Sequence, residues 1–181
     1  ASMVGDGGAN YEEPFETCVD ALINYKKPLI AAVDGIAIGG GATILLHFDA
    51  VFISPNAKVK YPFSDLGLAP EVGSSLLLFQ SLGYQKAAQL LFGAEWISGK
   101  EYFDFGMAKY LGEDYYDKAI DYAHQLNEQS LASIIETKAI LKSFNSDALA
   151  AARDLETKAM KRLYGSEDNI KAIEKFFSRK G

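Results

Sequence analysis

A single acidic residue in an apolar stretch is the first candidate for chemistry in this chain of 181 residues. Glu71 is the only acid within residues 66–78. Its neighbours include Leu68, Pro70 and Val72. Because burial disfavours the charged form of a carboxyl group, such neighbours would raise the pKa of Glu71 into a range that suits a general base. A position in the first turn of a helix, where an acid stabilises the helix dipole, is the alternative, and the residues alone leave both open.

Three consecutive glycines, Gly39 to Gly41, form the second candidate. They follow a predicted strand and precede a predicted helix. Glycine lets the backbone approach a ligand closely, and the free N–H groups at a helix N-terminus attract negative charge. The spacing fits neither the dinucleotide fingerprint nor a P-loop. A thioester or carbonyl oxygen is therefore a better ligand here than a nucleotide phosphate, although tight packing of strand against helix would also explain the glycines.

The remaining polar residues of interest favour structural roles. His47 and His124 have no third ligand at metal spacing, so the sequence predicts no metal site. Cys18 is expected on the apolar face of a helix as a small buried side chain. Asp49 is expected to order a loop.

An α/β arrangement followed by helices is predicted to position these residues. The first part of the chain favours a helix over 12–25, strands over 29–33, 36–38, 50–53 and 58–61, and a short helix over 42–48. A loop rich in Pro and Gly spans 62–73, helices follow over 73–82 and 84–92, and a capping box at Ser98 predicts another. The rest favours helices over 114–128, 131–143, 147–164 and 167–178. We therefore expect an α/β core over residues 1–110 and a helical segment over 111–181.

Composition excludes several classes of protein. The net charge of −6, from 18 basic and 24 acidic residues, argues against non-specific nucleic-acid binding. One cysteine excludes an internal disulfide and favours a reducing compartment. The sequence predicts no membrane span and no secretory signal. The chain does not end in the peroxisomal Ser-Lys-Leu address, so we expect the cytoplasm, with the peroxisome or mitochondrion as alternatives if a targeting segment is missing.

Together the motifs resemble the crotonase (enoyl-CoA hydratase/isomerase) superfamily from about residue 12 to the end. The matching strings are KPLIAAVDGIAIGGG at 27–41, FDAV at 48–51, the loop 62–73, Gly93 with ISGKE at 97–101, and FGM at 105–107. The resemblance implies a crotonase-like ββα spiral core, here partial because the N-terminal part of the family fold has no match. It also implies a homotrimer or a dimer of trimers, with the helices after residue 110 packed against neighbouring subunits.

The resemblance assigns roles to individual residues. Gly40 would donate its N–H to the thioester oxygen, as half of an oxyanion hole whose second donor has at best a poor match at residues 5–8. The two hydratase carboxylates would fall at Thr43 and Phe63, and neither residue is an acid. Residues 62–75, with Glu71 after Pro70, look like the peroxisomal-type Δ3,Δ2-enoyl-CoA isomerase branch, in which a glutamate at this place is the single base.

The implied activity is therefore a shift of a 3-enoyl-CoA double bond to 2-enoyl-CoA, by a proton shuttle on Glu71, in fatty acid β-oxidation. This activity is expected to be impaired if the N-terminal segment with the second oxyanion donor is missing. Coenzyme A would be part of the substrate, and no separate cofactor is expected. Another crotonase reaction such as hydration, or a non-catalytic acyl-CoA-binding scaffold, are the alternatives. Substrate contacts are expected from Ala37, Phe63, Leu68, Phe176 and Arg179, the last two at a place where some relatives contact CoA.

Overall fold

The computed structural model of the chain describes residues 12–178. The first elements are α1 (Glu12–Ile23), β1 (Ile30–Val33), β2 (Ile36–Ile38), α2 (Gly40–Thr43), β3 (Ala50–Ile53) and β4 (Lys58–Lys60). Next come α3 (Ser74–Leu82), α4 (Tyr84–Gly93), β5 (Ile97–Ser98), α5 (Gly99–Asp104) and β6 (Tyr110–Leu111). The last are α6 (Tyr115–Asn127), α7 (Leu131–Ser143), α8 (Ser146–Leu163) and α9 (Glu167–Ser178). Two short 3-10 helices cover Ile44–His47 and Ser64–Leu66.

Within residues 12–178 the strands form two sheets of three strands each. In the first sheet the order is β1-β3-β6, and both pairs are parallel. In the second the order is β2-β4-β5, with β2 parallel and β5 antiparallel to β4. All four residues of β3 are buried, as its continuous apolar run predicts for a strand covered on both faces. The early α/β core is confirmed.

The predicted strands agree with the structure to within a residue, but two strands and one helix boundary do not follow from the sequence. β5 and β6 have two residues each, which is too short to show a periodicity. The helix predicted over 42–48 begins at Gly40 instead and becomes a 3-10 helix at Ile44. It begins early because the Gly39 carbonyl accepts the N–H groups of Ala42 and Thr43.

The C-terminal helices are those that the spacing predicts, and they lie against the core. α6 packs on β1 and β3, and α8 packs on α3. On α9, Asn169 donates from Nδ2 to the Leu66 carbonyl over 2.6 Å. Every helix within residues 12–178 is too short or too polar to cross a lipid bilayer. The division of the chain near residue 110 stays a prediction.

Two predictions about single side chains are confirmed. Ser98 caps α5 through a capping box, in which its Oγ accepts the N–H of Glu101 and Glu101 accepts the N–H of Ser98. Asp49 orders the approach to β1: its Oδ2 accepts the Leu29 N–H at 2.6 Å and pairs with the buried Lys138 ammonium at 2.6 Å.

The prediction that Cys18 is buried is wrong. Val19 is the residue of α1 that points into the interior, while Cys18 is exposed. One step along a helix turns the side chain by about 100 degrees, so a residue next to a buried position leaves the apolar face.

Candidate active site

Glu71 lies on the loop that leads into α3, not within the helix. α3 begins at Ser74 and its N-cap is Gly73. The alternative that Glu71 occupies the first turn of a helix is therefore wrong.

The structure brings Glu71 and Gly40 together. A methyl group built on Gly40 would lie 3.5 Å from Glu71 Oε1 and 3.4 Å from two ring carbons of Phe15 on α1. Gly40 is the first residue of α2, and the first N–H groups of a helix have no partner inside it. The Gly40 backbone, the Glu71 carboxylate and the Phe15 ring therefore border the same small volume.

The surroundings of Glu71 raise its pKa. Burial of the carboxyl group is the largest cause, and the negative charges of Glu156 and Glu16 add to it. Within residues 12–178, no side-chain or backbone donor forms a hydrogen bond with this carboxylate. A carboxylate in this state holds a proton more readily than usual, which is the property that the sequence predicts for a general base.

The turn that follows Glu71 is strained, and a histidine holds it. Val72 has φ of +62°, a left-handed conformation that is a genuine outlier for a β-branched residue. Its carbonyl accepts a hydrogen bond of 2.8 Å from Nε2 of His47, which is buried. Burial is the main cause that lowers the pKa of His47, so the ring is neutral and donates through Nε2–H. The structural role expected for His47 is confirmed, but its partner, 25 residues away, left no local signal in the sequence.

A cleft of about 400 Å³ opens beside Glu71. It is lined by Phe15, Glu16, Pro70, Glu71, Val72, Arg153, Glu156, Thr157, Met160 and Lys161. Its lining thus comes from α1, the Glu71 loop and α8. A larger cavity of about 830 Å³ lies between the start of β1 and helices α6 to α8, and neither Glu71 nor Gly40 lines it.

The two positions at which the resemblance would place the hydratase carboxylates are buried and carry no acid. Thr43 is fully buried in α2, and its hydroxyl donates to the Gly40 carbonyl over 3.2 Å. Phe63 is 4% exposed and belongs to the hydrophobic core.

The other residues predicted to contact substrate are not among those that line the cleft. Ala37 is buried in β2, Leu68 is half-buried in the loop before Glu71, and Phe176 is partly exposed on α9. None of them, nor Phe63, lines the cleft among the residues described. Arg179 and the string at residues 5–8 lie outside the described residues. These binding roles stay predictions.

Comparison with known proteins identifies relatives of this chain. The enoyl-CoA hydratase/isomerase family matches residues 3–181. YhaR of Bacillus subtilis (strain 168), which carries the hydratase/isomerase name, is 31% identical over 88% of this chain and 63% of its own length. Enoyl-CoA delta isomerase 2 of Rattus norvegicus is 30% identical over 90% of this chain and 42% of its own length.

The fold has a close counterpart among solved structures. An enoyl-CoA hydratase/isomerase from Pseudoalteromonas atlantica T6c superimposes with a TM-score of 0.85 at 27% identity, over 89% of this chain and 66% of that one. The chain thus spans about two thirds or less of these three relatives. The match over nearly every residue and the shared α/β architecture lead to one conclusion: the chain belongs to the enoyl-CoA hydratase/isomerase family and has its crotonase fold.

Proposed function

We propose that the chain is a Δ3,Δ2-enoyl-CoA isomerase, which converts a 3-enoyl-CoA to the conjugated 2-enoyl-CoA. The observation that supports this is the state of the carboxylates at the cleft. Glu16 is paired with Arg153 at 2.6 Å, and Glu156 accepts hydrogen bonds from the start of α3. Among the cleft carboxylates that the structure describes, Glu71 is the one without a hydrogen-bond donor, and burial raises its pKa. One free base is what a proton shuttle requires.

The proposed reaction moves one proton between two carbons of the acyl chain. The ionised Glu71 carboxylate removes a proton from C2, and the electrons of that C–H bond form a dienolate with negative charge on the thioester oxygen. The carboxyl group then returns the proton to C4, while the carbonyl reforms and the double bond comes to lie between C2 and C3. The enzyme ends with Glu71 ionised again, so no other reactant is consumed.

Gly40 would stabilise the charge that develops on oxygen. Its N–H belongs to the first turn of α2 and needs no reorganisation to donate. Loss of one such donor typically lowers kcat by about 10²–10³-fold.

Hydration of a double bond is less well supported by the same site. It needs groups that activate water and protonate carbon. The two positions where the family's hydratases carry carboxylates hold Thr43 and Phe63, and both are buried. The similarity to the rat delta isomerase supports the isomerase assignment, whereas the combined name of YhaR leaves both reactions within the family.

The test is turnover of a 3-enoyl-CoA by the purified chain, followed through the ultraviolet absorption of the conjugated thioester. We expect isomerisation, at a rate lowered by about 10²–10³-fold if the second oxyanion donor is missing, together with deuterium exchange at C2 in deuterated water. Formation of a 3-hydroxyacyl-CoA from a 2-enoyl-CoA, without isomerisation, would assign the site to hydration. Binding of acyl-CoA with no C2 exchange would assign the chain to the scaffold alternative.

We also expect the chain to assemble as a trimer or a dimer of trimers. Large apolar side chains stand exposed on the C-terminal helices, and Phe144 after α7 is 76% exposed. The others include Ile140, Leu141, Leu155 and Tyr164. An interface with neighbouring subunits would cover these side chains. Sedimentation equilibrium at micromolar concentration should give three or six times the mass of the chain, and a monomer would contradict the prediction.

The cytoplasmic compartment and a place in β-oxidation remain proposals as well.

A further inference from the structure

The helix that follows Glu71 begins without a capping side chain of its own. The N-cap of α3 is Gly73, which has φ of +75° and no side chain. A methyl group built there would lie 2.3 Å from Cδ1 of Leu149 on α8, so a side chain at this position would displace Leu149 and would be strained at this φ. Free N–H groups at a buried helix start need an acceptor from elsewhere.

Glu156 of α8 supplies that acceptor. Its Oε2 accepts the Gly73 N–H at 2.7 Å, and its Oε1 accepts the N–H of Ser75 at 2.9 Å and the hydroxyl of Ser75 at 2.5 Å. Glu156 is 6% exposed and lies 83 residues from Gly73 in the sequence. Hydrogen bonds to a carboxylate are about twice as strong as those between neutral groups.

These bonds fix the end of a strained turn. Val72, between Glu71 and Gly73, is left-handed, and such a conformation persists only where its surroundings over-determine it. His47 holds the turn from one side through the Val72 carbonyl, and Glu156 holds it from the other through Gly73 and Ser75.

We propose that Glu156 is a positioning residue for Glu71, acting through the N–H groups of Gly73 and Ser75 and through its charge. The catalytic consequence rests on the function proposed above. The geometric part of the proposal, that helix α8 holds the turn after Glu71, does not rest on that function.

The charge of Glu156 also acts on Glu71. The other titratable or charged side chains at the cleft or against the turn are Glu16 of α1, His47, and Arg153 and Lys161 of α8. Glu16 forms an ion pair with Arg153, which also pairs with Asp20, and His47 is neutral. Removal of the negative charge of Glu156 therefore takes away one of the causes that raise the pKa of Glu71.

The test is Glu156→Gln, which keeps the size of the side chain and removes its charge. We expect the Gly73 and Ser75 amides to exchange with deuterium at least tenfold faster. We expect the Glu71 carboxyl to titrate at lower pH by carbon-13 NMR, with its signal assigned from Glu71→Gln. If the proposed function holds, kcat falls by about tenfold to a hundredfold, as for a misplaced catalytic group, and the rising limb of the pH–rate profile moves to lower pH.

Asp154→Asn is the matched control, since it removes one negative charge from an exposed ion pair on the same helix. It should change neither the exchange rates nor the Glu71 titration. Should Glu156→Gln fail to fold, Ser75→Ala keeps the charge and removes one hydrogen bond, and it should speed exchange at residue 75 about threefold.

Two failures can be told apart. Unchanged amide exchange and an unchanged Glu71 titration in Glu156→Gln would overturn the positioning role, whatever the substrate. If that variant does not fold, unchanged exchange in Ser75→Ala would overturn it. The expected NMR and exchange results in a protein without isomerase activity would leave the positioning role standing and overturn the function alone.

Discussion

Replacement of Glu71 by glutamine is expected to lower the rate of 3-enoyl to 2-enoyl isomerisation by about 10²–10⁴-fold, the usual contribution of a general base. Glutamine keeps the shape of the side chain and loses only its ability to accept a proton. Acyl-CoA affinity should therefore stay within about tenfold of the wild type. An alanine would confuse the result because it opens a cavity beside Gly40. Steady-state kinetics and calorimetric titration with a saturated acyl-CoA measure the two effects.

Asp65→Asn is the control for this change. Asp65 lies on the same loop, but its side chain is exposed and pairs with Lys60, so its loss should leave the rate unchanged. The wild-type pH–rate profile should show one rising limb, displaced upwards from the ordinary glutamate range, because the ionised form is the base and its pKa is raised. If Glu71→Gln keeps more than about a tenth of the rate, another group is the base.

Introduction of both hydratase carboxylates, Thr43→Glu with Phe63→Glu, is expected to destabilise the protein severely and to yield little hydration. Thr43 is fully buried and Phe63 is 4% exposed, so each new carboxyl group would enter the core without a partner. Each costs several kcal/mol unless it is paired or protonated, and together they should lower the free energy of unfolding by about 5 kcal/mol or more. Urea denaturation measures this loss.

The matched control is Thr43→Gln with Phe63→Gln, which has the same size without the charge. The difference between the two double variants should shrink at acid pH, where the new carboxyl groups are protonated. Efficient hydration of a 2-enoyl-CoA by the glutamate variant would show that the two positions face a polar site, contrary to the structure.

The parts of the fold that follow from local sequence are those with a long periodic pattern. The helices after residue 114 agree with the spacing of their apolar residues. Ser98 predicts the start of α5 because a capping box is recognisable from only four residues. The strands β5 and β6 have too few residues for a pattern and exist because longer strands pair with them. Cys18 shows that the pattern does not fix the buried face of a helix to a single residue: the pattern predicts that it is buried, but it is exposed.

The candidate site could likewise be predicted from the sequence only in part. The apolar neighbours of Glu71 predict a raised pKa, and the structure has it for that reason, through burial. The bonds that hold the loop join residues far apart: His47 to Val72, and Glu156 to Gly73. A single sequence does not show which distant residues will pair in this way. The sequence could therefore indicate a candidate base but not the residues that hold it in place.

The raised pKa of Glu71 makes the stability of the chain depend on pH in an unfavourable direction. The folded chain binds this proton more tightly than the unfolded chain, whose carboxyl titrates near the ordinary value of 4.5. Proton binding by Glu71 therefore stabilises the folded chain fully at a pH below the pKa of this carboxyl group in the unfolded chain. This stabilisation is lost as the pH rises through the pKa of Glu71 in the folded chain. The ionised form that would accept the C2 proton is thus the form that weakens the fold. Glu71→Gln should therefore unfold at a higher temperature than the wild type at neutral pH, an advantage that calorimetry should find reduced in acid. The proposed role of Glu71 as a base and maximal stability of the fold are therefore opposing demands on this position.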